Sequence, residues 1–151
     1  MTGDPIPEAD NITRWCGGSH VDPETGSIGP GAFMLRAKDT DRLLSVNWLE
    51  YFKPLNRESQ VDEVRKVLTK KISRVGPNSR LAVLNVKHVI SSVQDATGDN
   101  ASISILHAPV SLEGQWDDPS HSGIYGLKID DDISAVALSQ IIIEIYPAKT
   151  T

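Results

Sequence analysis

The stretch from residue 58 to residue 86 constrains the fold most. The spacing predicts a helix over residues 58–75, because Val61, Val64, Val67, Leu68, Ile72 and Val75 recur at intervals of three and four and line up one apolar stripe. Glu58, Asp62 and Glu63 open that segment and Lys70, Lys71 and Arg74 close it, the order that suits a helix dipole. Gly76, Pro77, Asn78 and Ser79 then turn the chain into the apolar run of residues 80–86, which is short enough to be a buried strand. An amphipathic helix joined by a tight turn to a buried strand belongs to a packed domain of both element types.

Around this pair the sequence predicts further elements. Residues 12–16 have the β-branched and aromatic content of a strand, ended by Gly17 and Gly18. Residues 17–31 are loop chemistry, where Asp22-Pro23 and Gly29-Pro30-Gly31 fix turns and His20 is presented on irregular backbone. Strands are expected at 32–36 and 43–46 with a turn at 39–41 between them, then a brief helix over 47–52 stopped by Pro54. A short helix over 87–96 and a strand up to Pro109 follow. The loop of residues 111–122 carries His121 in the turn sequence Asp-Asp-Pro-Ser-His-Ser-Gly, and a strand is expected over 123–129. Asp130–132 can cap a last helix over 133–146, although the isoleucine-rich end of that segment equally suits a strand closing the sheet. Strands and helices interleave without a βαβ rhythm, so the expected fold is α+β: a mixed or mainly antiparallel sheet packed by two to four helices. Residues 1–10, rich in proline and acid, read as a flexible leader to a single domain over 11–151.

Composition narrows the function classes. A formal charge of −5 argues against a general nucleic-acid coat, which needs a dominating field of Lys and Arg. Cys16 is the only cysteine, so neither an intrachain disulfide nor a Cys-rich zinc site is available. The N-terminus lacks the basic and apolar regions of a secretory signal, and no apolar run approaches the roughly 20 residues of a membrane-spanning helix. The expected location is the cytoplasm. No P-loop, Gly-x-Gly-x-x-Gly, His-Glu-x-x-His, Gly-x-Ser-x-Gly or Cys-x-x-Cys motif occurs.

What remains is a set of side chains at loop edges: Arg14, His20, Ser45, Asn47, Glu50, His107 and His121. His20, His107 and His121 have imidazoles that suit a divalent metal, but their separation gives no ligand spacing, and neither a metal nor another cofactor is expected. His107 and His121 as a pair would suit general acid and base work on a phosphodiester, since imidazole titrates near neutrality. Arg14, Ser45 and a downstream Glu50 or Glu144 follow the chain order of ADP-ribosyltransferase-like domains.

The pieces holding Arg14, His20-Val21, Gly26, Ala32-Phe33, Leu44-Ser45-Val46, Pro119-x-His121 and Gly126 together resemble a group of small bacterial proteins with an early Arg, a His-Val loop, Ala-Phe, Leu-Ser-Val and a late Pro-x-His. The resemblance spans most of residues 12–140. It implies a bacterial, cytosolic protein and weight on His20 and His121, and it implies no particular reaction. Two function classes are expected. The favoured one is a non-catalytic interaction module of a toxin–antitoxin or phage-defence type system, with another protein as partner and no membrane. The alternative is a small enzyme or toxin acting on a nucleotide or nucleic acid, with Arg14, His20, Ser45 and His121 as the catalytic set in one cleft.

Overall fold

The computed structural model describes residues 3–37, 42–72, 74–98, 102–112 and 116–150. The chain forms an α+β single domain, with, among the described residues, three α-helices on an antiparallel sheet of six strands and a separate two-stranded ribbon. In chain order the strands are β1 (Asn11–Cys16), β2 (Leu43–Trp48), β3 (Arg80–Asn85), β4 (Ser104–His107), β5 (Val110–Leu112), β6 (Trp116–Asp118), β7 (His121–Tyr125) and β8 (Glu144–Pro147). The helices are α1 (Arg57–Lys71), α2 (Val86–Ala96) and α3 (Asp132–Ser139). The sheet runs β4-β7-β2-β1-β3-β8, and β5 pairs with β6.

The interior strand β3, between β1 and the edge strand β8, explains the layering. Its residues alternate sides, and both sides are apolar and buried: Leu81 and Val83 join Val61, Val64 and Leu68 of α1, while Ala82 and Leu84 join Val89 and Val93 of α2 and Ala135 and Leu138 of α3. The sheet is therefore covered by α1 on one face and by α2 with α3 on the other. Each helix starts at a side-chain cap, with Asn56, Asn85 and Asp131 accepting from the backbone N–H groups of Ser59, His88 and Ser134.

Several sequence expectations are corrected. Residues 32–36 do not form a strand: Pro30 opens a 3-10 turn over Pro30–Phe33, Met34 after it is extended, and residues 34–36 carry no ladder. The loop expected at 111–122 contains the β5–β6 ribbon, and His121 is the first residue of β7 rather than part of a turn. The brief helix after β2 is a 3-10 turn, Leu49–Phe52. The long helix stops at Lys71, and Val75 reaches the core from beyond it. The last helix also stops early, at Ser139, because the β-branched run that follows favours extended backbone, and Glu144–Pro147 pairs with β3 as an edge strand. The turn at 39–41 lies outside the described residues.

The acidic N-terminal segment is packed onto the sheet rather than independent of it. Ile6 is buried and its N–H donates to the Ile105 carbonyl, the N–H of His107 donates to the Asp4 carbonyl, and Asp10 accepts from the Trp48 indole. Residues 1 and 2 lie outside the described set. Among the described residues no helix is long and apolar enough to cross a membrane.

Candidate functional site

Alternation along β1 decides where the candidate residues go. Ile12 and Cys16 enter the core under α2 and α3, so Arg14 points to that same face, whereas Thr13 and Trp15 face α1. Thr13 lies opposite Asn47 on β2, and Asn47 lies opposite His121 on β7, which places Ser45, Asn47 and His121 on the α1 side. The sheet thus separates the side chains of Ser45 and His121 from that of Arg14. The four residues expected in one cleft form two sites.

The first site is a pocket of about 300 Å³ at the end of β1, where Arg14, Ser19, His20, Gly31 and Arg36 contribute to the lining. Arg14 is oriented by two carbonyls: its Nε donates to Ala32 O and its Nη1 to Ser45 O, both at 2.9 Å. The link to Ser45 is therefore through backbone alone. His20 ends a 3-10 turn, Gly18–His20, and its backbone is pinned at both ends, with its N–H donating to Gly17 O and its C=O accepting from Gly29 N. The imidazole lies against Gly31, where an added Cβ would stand 2.9 Å from Nδ1 and 3.7 Å from an Arg36 guanidinium nitrogen. Burial, then Arg36 and Arg14, hold His20 below the ordinary imidazole value.

The second site lies on the α1 face. His121 Nδ1 is 2.7 Å from Ala108 O, so Nδ1 carries the proton and Nε2 accepts from the exposed Ser45 hydroxyl at 3.3 Å. Beside it, Asn47 Nδ2 donates to Asp118 Oδ1 at 2.8 Å and to Ser120 Oγ at 3.0 Å, and Lys71 closes the other carboxylate oxygen of the fully buried Asp118.

The remaining expectations do not converge. His107 lies opposite Ser122 on the face away from His121, hydrogen-bonds Pro119 O and packs edge-on against Trp48, so the two histidines form no acid–base pair. Glu50 is bound by the backbone and side-chain N–H groups of Asn11, and Arg57 bridges Glu50 to Glu144. Neither glutamate reaches Arg14, and the ADP-ribosyltransferase-like order is not a site. Among the described residues no three His, Cys, Asp or Glu side chains are grouped to hold a metal ion.

No protein-family model, curated protein or solved structure matches this chain. The site residues therefore stand on geometry. Sequence reasoning found Arg14 and His20 but missed Arg36, which it placed in an ordinary strand. It also missed Lys71 and Asp118, 47 residues apart, which no local pattern connects.

Proposed function

We propose that this domain is a non-catalytic interaction module that captures an anionic group of a partner protein in the Arg14–His20–Arg36 pocket. One observation carries the reading: two guanidinium groups and an imidazole, delivered by three separate segments, line one pocket in a chain of net charge −5. A local basic concavity on an acidic domain attracts an anionic ligand while the rest of the surface repels an extended polyanion. The test is a titration of the folded protein with inorganic phosphate and with acetate, followed by NMR. Shifts confined to residues 17–20 and 31–36, with affinity weakened about tenfold in Arg36→Gln, the loss of one charge-assisted hydrogen bond, support the reading. No shift at tens of millimolar anion, a weaker limit than about 1 mM affinity sets, overturns it.

The Ser45–His121 contact favours a second reading, a serine nucleophile with a histidine base oriented by the Ala108 carbonyl. A fluorophosphonate reagent that labels Ser45 in the native protein but not in His121→Gln supports it. Equal labelling of both proteins, or none, rejects it.

A further inference from the structure

We infer that this chain associates with itself head to tail: the outward stripe of α3 on one protomer seats in the groove beyond the C-terminal end of α1 on the next, with Ile133 as the anchor and Asp132 beside Arg74.

The helix α3 is apolar on both sides. Ser134, Ala135 and Leu138 are buried against the sheet, while Ile133, Val136 and Ala137 point the other way and line a shallow depression with Ala96 at the end of α2. A surface helix ordinarily turns polar residues outward, so a stripe with Ile133 57% and Val136 40% exposed is apolar area left without cover. Two exposed carboxylates, Asp130 and Asp132, stand at the start of that stripe. Asp131 between them is taken up in capping Ser134 and feels the charge of Lys128.

The complement lies on the other face of the sheet. Beyond the end of α1, half-buried Ile72 and buried Val75 and Ala148 form the floor of a groove of about 340 Å³, and exposed Arg74 and Lys149 stand on its rim. Arg65, also in the lining, is held by Asp62 and by the Pro147 carbonyl. Among the described residues no ion pair takes Arg74 or Lys149. An apolar floor with two open cations therefore meets an apolar stripe with two open carboxylates.

Charge also decides between a head-to-tail and a two-fold contact. Packing α3 antiparallel on α3 of a second copy would set Asp130 and Asp132 against Ser139 and Gln140, and parallel packing would set the carboxylates against each other. Neither supplies a cation, and the groove supplies two. Because α1 and α3 cover opposite faces of the sheet, a protomer cannot bring its groove and its stripe into one contact, so the series runs open or closes as a ring larger than a dimer. The charge of −5 on each copy opposes approach at long range, but salt at about 0.15 M screens it beyond about 8 Å and leaves the local pairing to act. A contact centred on a helix of 8 residues belongs to the small, transient class, below about 1,200 Å².

The experiment is sedimentation equilibrium of the whole chain from about 10 μM to about 1 mM, the range of weak association, at fixed salt. The weight-average mass is expected to rise with concentration past that of a dimer. Ile133→Ser and Arg74→Glu, both at exposed positions, are each expected to weaken association at least about tenfold while the melting temperature of the dilute protein is kept. Arg74→Glu combined with Asp132→Lys is expected to recover most of that loss, because the ion pair is rebuilt with its signs exchanged. A monomer throughout the range, a mass that levels off at the dimer, association untouched by Ile133→Ser or by Arg74→Glu, or a double variant no better than Arg74→Glu alone overturns the inference. None of these residues contributes to the Arg14–His20–Arg36 pocket, so each outcome leaves the anion-capture reading to its own test.

Discussion

Lys71 Nζ stands 2.8 Å from Asp118 Oδ2 and ties the last turn of α1 to β6 through a carboxylate with no exposure to solvent. The lysine is 22% exposed, so the two partners differ in what they lose when the other is removed. Lys71→Met strands a buried carboxylate with Asn47 as its remaining side-chain donor and is expected to cost about 3–5 kcal/mol, the range for breaking a buried pair. Asp118→Asn leaves a lysine that can turn toward water and costs less. The double variant is expected to be more stable than the sum of the two losses predicts, measured by denaturant unfolding. Additive losses would show that the contact is not energetically coupled.

Leu68 tests the helix stripe. It is buried between α1 and the sheet with Val61, Val64, Leu81 and Val83, so Leu68→Ala is expected to cost about 2–5 kcal/mol. Ile133, 57% exposed in the first turn of α3, is the control, and Ile133→Ala is expected to change stability by less than about 0.5 kcal/mol. Equal losses at the two positions would contradict the layering described here.

Cys16 is expected to be inert in the native state. Its side chain is fully buried under α2 and α3, and burial pushes the thiol up to about 12, against the smaller opposing influences of Arg14 and a backbone hydrogen bond. Reaction with a disulfide reagent at pH 8 should therefore follow the opening of the domain and accelerate with denaturant. Rapid stoichiometric labelling in native buffer would show that the end of β1 opens locally.

How far the sequence reveals this fold depends on which residues act locally. The helix of residues 58–75 and the strand of residues 80–86 are legible because apolar spacing and a Gly-Pro turn are properties of short segments. The boundary at Ser139 is hidden because Asp131–Ser139 and the isoleucines after it share one helical spacing, and only pairing with β3 separates them. Composition labels residues 1–10 as a leader, whereas Ile6 finds its partners on β4, about a hundred residues away in sequence. Arg14 and His20 are legible as loop-edge candidates, but their separation from Ser45 and His121 is a matter of strand alternation. A shift of one residue in register would reverse it, and no single-segment pattern fixes that register.

His20 predicts a pH dependence of stability. Burial, Arg36 and Arg14 hold it below its ordinary 6.5 in the folded protein, while the unfolded chain titrates near that value. Between the two values the unfolded chain binds more protons, so stability falls as pH falls through the window and levels off below the folded value. His20→Gln removes both titrations, while the other three histidines are common to both proteins, so the difference between the two profiles isolates His20. Wild type is expected to lose more stability than the variant on going down from pH 6.5, in denaturant melts at fixed ionic strength. Parallel profiles for the two proteins would mean that the pocket does not disfavour the imidazolium, and the electrostatic account of the Arg14–His20–Arg36 site would fail.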